Sequence, residues 1–198
     1  MSKKGVQSII DSIREAVEKK CWIPALTTAL TLPDIMGQIE FPELVNKRER
    51  RLVKQQYTTW FAKHVEHWFA DEQGWNKDGI PINPYFTADM CYQLRCSVLH
   101  QGNDDVKHDF SFENEKDSTY SYTFELRVNA CDSYGSVWPS PQSGEKLHKT
   151  IHVRVDVGSL CVRLCDEAQS FLDSYPEDTF SQLGIDLVDV QAFRNSLC

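Results

Sequence analysis

Cys91-Tyr92-Gln93-Leu94-Arg95-Cys96-Ser97-Val98-Leu99-His100-Gln101-Gly102 is the stretch whose reading decides the fold. It predicts the closing turns of a helix that begins at Thr87. Thr87 is a favourable N-cap, and Asp89 puts a carboxylate in the first turn, where the helix dipole favours it. Met90, Leu94 and Val98 recur four apart as one apolar stripe, and Gly102 supplies a C-terminal stop. The helix therefore ends near His100. It carries a fixed cation, Arg95, and a titratable imidazole, His100. Five residues at 100° each separate these two by about 140° around the axis, so both cannot face the core. They can act together only if the helix ends near His100 or a second copy of it completes the site.

Upstream of this stretch the pattern is helical. Val6, Ile9, Ile10, Ile13, Ala16 and Val17 mark one face of a helix over Val6–Lys20, with Arg14 and Glu18 paired on another. A second helical region spans Trp22–Glu40, with Pro24 suited to a first turn and Pro33 kinking or restarting the helix. A third helix is expected over Lys47–Gln73. Its stripe is Val53, Tyr57, Trp60, Phe61, His64, Val65, Trp68 and Phe69, an aromatic face that reads as core, with His64 packed and His67 outward. Gly74 ends it, and 77–84 is a turn-rich connector.

Downstream the period changes to two. Asp109–Glu113, Tyr120–Val128 and Thr150–Val157 alternate and are rich in β-branched and aromatic residues, which predicts strands. Asp132–Gly144 reads as a loop from its turn residues. A small antiparallel sheet, inserted over 108–157, would have to pack on the helices to be stable. His148 and His152 share a strand face with Thr150 and Arg154, read as the solvent face. A further helix starts near Gly158, with Leu160, Cys161, Leu164, Cys165, Ala168, Phe171 and Leu172 inward and Pro176 ending it. Short helices are expected near Thr179–Leu183 and Leu187–Ser196. The fold class is mainly α, a helical bundle with a β insert, forming one domain over 1–198.

Composition narrows the function. A net charge of −8 opposes general nucleic-acid binding, so any RNA site must be a local basic patch. The candidate is Lys47-Arg48-Glu49-Arg50-Arg51, read either as the solvated first turn of the third helix or as a surface through which Arg48 and Arg51 hold substrate. There is no apolar run of about 18 residues, which excludes a membrane-spanning helix, and no apolar leader, so a cytoplasmic location is expected. The seven cysteines are scattered without a Cys-x-x-Cys pair and read as buried thiols in a reducing compartment. No metal or cofactor is called for. Asp104, Asp105 and His108 read as an acidic loop.

The Arg95-x4-His100 spacing near a helix end, with Leu94 before the arginine, Val98-Leu99 before the histidine and Gly102 as the stop, resembles the HEPN superfamily. The Leu32-Pro33-Asp34 step after an Ala/Leu-rich segment is similar to some prokaryotic HEPN-like proteins. The resemblance implies a helical bundle that dimerises with two motifs facing one cleft. It also implies a metal-independent endoribonuclease of the defence or toxin kind, with RNA as substrate and an antitoxin as a possible partner. Arg95 and His100 would then be catalytic. Imidazole as a class exchanges protons near neutral pH, and guanidinium presents a planar fork to phosphate oxygens. Ser97 and Gln101 would add hydrogen bonds to substrate. The chain departs from the family at Cys96, where many catalytic members carry a polar residue, often asparagine. The alternative is a non-catalytic HEPN-like module that binds a nucleotide or a protein in the same cleft. A structural role is also open for each residue: His100 would answer the helix dipole, and Arg95 would pair with Asp89, Asp104 or Asp105.

Overall fold

The computed structural model describes residues 3–70, 84–104, 106, 118–137 and 147–180. Among the described residues, six α-helices and three strands follow one another as α1 (Lys3–Glu18), α2 (Trp22–Ala29), α3 (Leu32–Glu40), α4 (Val53–His64), α5 (Ala88–Cys96), β1 (Ser118–Arg127), β2 (Ser133–Val137), β3 (Leu147–Asp156) and α6 (Val157–Ser174). The described chain is mainly helical, as the apolar periodicity predicts. None of the described helices is long and apolar enough to cross a membrane.

The core lies among the helices. Val6, Ile10 and Ile13 of α1 are buried with Leu160, Cys161, Leu164, Cys165 and Ala168 of α6, the inner face expected of that helix. The solvent pair expected within α1 does not form; Arg14 reaches across to Asp166 of α6 at 2.9 Å. The second helical region is two helices, broken at Leu30–Thr31, because Pro33 falls in the first turn of α3 and has no N–H to continue the ladder. Gly37 lets α3 and α4 approach closely: a Cβ there would stand 2.5 Å from the Gln56 carbonyl oxygen.

The third helix is shorter than its sequence pattern suggests. It begins at Val53 and ends at His64, and a 3-10 turn over Glu66–Phe69 follows. Lys47–Arg51 therefore is no helical turn. Asn46 Oδ1 accepts from the backbone N–H groups of Arg48 (2.8 Å) and Arg50 (3.2 Å), and Val45 bridges Arg51, so the asparagine folds the basic run back on itself. The 3-10 turn also advances each side chain by more than an α-helix does. Trp68 is consequently turned out, half-exposed, with its indole N–H on Glu167, while Phe69 is buried. His64 is packed as expected, beside Trp60 and Phe171 and against Glu40, and His67 is exposed.

The sheet corrects two expectations. Its order is β1-β3-β2, with β1 parallel and only β2 antiparallel to the central β3. It is mixed, not antiparallel, because alternation reports which face a side chain takes and is silent on strand direction. β2 lies where a loop is expected: Ser133-Tyr134-Gly135-Ser136-Val137 carries turn formers and little apolar alternation, which an edge strand tolerates. Phe124, Leu126, Val153 and Val155 face the helices, with Phe124 stacked on Phe86 at 5.7 Å. On the other face, Thr123 pairs His152 and Glu125 pairs Arg154, in register. The strand expected at Asp109–Glu113 and the helix at Leu187–Ser196 lie outside the described residues, as do Asp105 and His108; at the start of the tail a 3-10 turn spans Glu177–Phe180.

Candidate functional site

The helix around Arg95 forms as its sequence dictates. Thr87 Oγ1 accepts from the Met90 N–H at 3.3 Å, and Glu66 accepts from the Ala88 N–H at 2.9 Å, so two donors of the first turn have side-chain acceptors. Met90, Cys91 and Leu94 are buried. The α-helix stops at Cys96, and Ser97–Gln101 form a π turn closed by Gly102 at φ +67°, whose N–H bonds to the Ser97 carbonyl. A π turn bonds five residues back where an α-helix bonds four, so it turns less per residue. The separation of about 140° that an ideal α-helix gives Arg95 and His100 therefore does not carry over this turn. The His100 imidazole is exposed, as is Gln101. Ser97 is 6% exposed, which removes it from the solvent-facing set expected to touch substrate.

Among the described residues, Arg95 takes neither Asp89 nor Asp104 as its partner. Its Nη2 donates to Asp34 Oδ2 at 2.8 Å, while Asp89 takes Lys54 at 2.8 Å. The same Asp34 carboxylate accepts from Arg51 Nη2 through Oδ1, also at 2.8 Å. Asp34 lies in the first turn of α3, Arg51 ends the basic loop, and Arg95 is on α5. One carboxylate thus joins three separate segments. The fold brings together two of the residues read from sequence as site residues, Arg95 and Arg51. Arg48, exposed on the Asn46 turn, engages Asn46 through its backbone N–H.

Each guanidinium is held. Arg51 donates from Nε to Gln56 Oε1 at 2.8 Å, and Gln56, buried, donates to the Phe41 carbonyl at 2.9 Å. Arg95 lies over two tyrosine rings, 6.0 Å from the Tyr57 centroid and 5.8 Å from that of Tyr92, and these rings meet edge to face. Such faces attract a cation. Side-chain exposure is 16% for Arg95, 20% for Asp34 and 38% for Arg51, so the trio lies at the rim of the core with its Arg51 side open.

The electrostatics follow from this packing. Burial works against the charge on Arg95, but Asp34, Cys96 and Tyr57 outweigh it and hold its pKa above the ordinary value. Burial pushes the Tyr57 hydroxyl well up, reinforced by Cys91, to which it is hydrogen-bonded at 3.3 Å. Burial likewise raises Cys91 to about 12, and burial and then Cys96 raise Tyr92. These groups stay neutral at physiological pH. The site is therefore two cations sharing one anion, walled by neutral aromatic and thiol groups. It can grip an anion; among the described residues no group of three or more His, Cys, Asp or Glu side chains converges as a metal site would need.

Asp34, Tyr57, Tyr92 and Gln56 escape a sequence reading. The available signals are an acid in the first turn after Pro33, and Tyr92 three residues before Arg95, on the same side of a helix. No family model, curated protein or solved structure matches this chain, so the assignment of the site rests on its own geometry and chemistry.

Proposed function

We propose that the chain is a HEPN-like, metal-independent endoribonuclease in which Arg95 holds a phosphate of the RNA strand and His100 moves protons. The observation that carries this reading is a guanidinium fixed by Asp34 and two tyrosine rings, on a helix whose closing π turn carries an exposed imidazole. A held guanidinium stabilises charge on the phosphoryl oxygens without first having to be ordered. In the reaction the ribose 2′-oxygen bonds to phosphorus as the bond from phosphorus to O5′ breaks. The products are a 2′,3′-cyclic phosphate and a 5′-hydroxyl. One His100 takes the 2′ proton, and the His100 of a second copy, facing the same cleft in a homodimer, returns a proton to O5′.

Incubation of the protein with mixed RNA in the presence of a chelator tests this. Cleavage that disappears in both Arg95→Ala and His100→Ala, with folding intact, is the expected result. Equal cleavage in the two variants places the nuclease elsewhere.

One observation favours a second reading. Arg95 already has an anion, Asp34, and is largely covered. In that case the same cleft is a non-catalytic module for a nucleotide or a protein, and it shows ligand-dependent thermal stabilisation without cleavage.

A further inference from the structure

We propose that Asp34 is a positioning residue that yokes Arg51 and Arg95 into a single two-guanidinium phosphate clamp, so that a single RNA strand runs from the basic loop at Lys47–Arg51 to the π turn at Ser97–Gln101. This inference rests on the reading of Arg95 as a phosphate ligand. Asp34 Oδ1 takes Arg51 and Oδ2 takes Arg95, each at 2.8 Å, so both forks are aligned from one carboxylate. Four further contacts fix the arrangement: the Asp34 carbonyl also accepts from Arg51 at 3.2 Å, Gln56 holds the Arg51 Nε, and the rings of Tyr57 and Tyr92 hold Arg95. Two cations facing one anion leave the trio one positive charge in excess, in a chain whose overall charge is −8. Arg51, the most open of the three, continues into Arg50, Arg48 and Lys47, all exposed on the Asn46 turn. A strand crossing there meets phosphate ligands from two separated segments at a fixed spacing, which a lone Arg95 does not provide.

The test uses the full chain, a fluorescein-labelled single-stranded RNA of mixed sequence and a chelator. Binding is followed by anisotropy across a salt series, and cleavage is read in the same samples. Asp34→Asn and Arg51→Ala each weaken binding about tenfold, even though the first removes a negative charge, and Asp34→Glu keeps most of the affinity. Arg51→Ala also lowers the slope of log K against log salt by about 0.7, one single-strand phosphate contact. Should Asp34→Asn fail to fold, Arg51→Ala and Arg51→Gln, at a more open loop position, carry the same test. Tighter binding by Asp34→Asn overturns the clamp, because the carboxylate then competes with phosphate. Unchanged binding in the Arg51 variants overturns it as well. If the variants weaken binding as stated while the wild type cleaves nothing, the clamp stands and the nuclease reading falls. If the wild type cleaves and neither residue matters, the clamp falls alone. No RNA binding by the wild type removes both.

Discussion

Gly37 stands against the backbone of Gln56 so closely that any side chain on it would strike the Gln56 carbonyl oxygen, at 2.5 Å from its Cβ. Backbone cannot swing aside as a flexible side chain can. Gly37→Ala therefore drives α3 from α4 and is expected to cost about 1–3 kcal/mol. Because Asp34 rides on α3 and Gln56 on α4, the same change also loosens the hold on Arg51. Urea unfolding measures the first effect, and the affinity for RNA measures the second. An unchanged midpoint would mean that the two helices have room to spare.

Arg95→Lys keeps the charge and loses the planar fork. A lysine ammonium does not present two aligned donors to phosphate, nor lie flat over Tyr57 and Tyr92 as guanidinium does. Cleavage by this variant is expected to fall at least about 100-fold, most of the way to the loss in Arg95→Ala. His100→Ala should abolish cleavage with no change in the thermal midpoint, since the imidazole is exposed. An Arg95→Lys protein as active as wild type would reduce Arg95 to a point charge.

The buried thiols set an alkaline limit on stability. Burial raises Cys91, Cys161 and Cys165 from an ordinary 9.0 to about 12. Between those values the unfolded chain gives up protons that the folded chain keeps, so the unfolded state is favoured as pH rises. Stability from these groups is flat below pH 9 and declines progressively from 9 toward 12, which pH-dependent urea midpoints would reveal. In native protein near pH 8, a thiol reagent should modify exposed Cys21 and Cys131 rapidly and leave these three until unfolding. Fast reaction of all three would contradict their burial.

Asp156 joins sheet to helix. It accepts from the Ser159 N–H as the cap of α6 at 2.8 Å and from the Ala130 N–H at 3.0 Å, and it is buried. Asp156→Ala removes both acceptors at once and is expected to destabilise by about 2–4 kcal/mol. Asp156→Asn keeps one oxygen and should lose less. Calorimetry on the two variants gives the order, and equal losses would show that charge, not hydrogen bonding, is what matters there.

Helices were legible where a cap, a stripe and a stop agreed. Thr87, the Met90–Leu94 spacing and Gly102 gave the bounds of the motif helix, and the Leu160–Leu172 pattern gave the inner face of α6. What failed had no local signal. The basic run Lys47–Arg51 has the composition of a helix start, yet Asn46 captures its N–H groups first. Strand direction is a property of the partner, so β1 and β3 gave away their faces and not their sense. The π turn departs from a 3.6-residue period within five residues, too short a span for periodicity to register. Asp34 is 61 residues from Arg95, and an acid in the first turn of α3 reads locally as an answer to the helix dipole. Only the tertiary packing makes it the partner of two arginines.

The last residue of β3 is also the cap of α6, and this gives the molecule a built-in ruler. Sliding β3 by one position along β1 would pull Asp156 from the Ala130 amide and drag the 18-residue helix that it caps out of its place against α1, besides turning Val153 and Val155 outward. A shifted pairing is thus penalised twice, once in the sheet and once in the bundle, which leaves a strand pair with polar pairs on its outer face a single alignment to settle into.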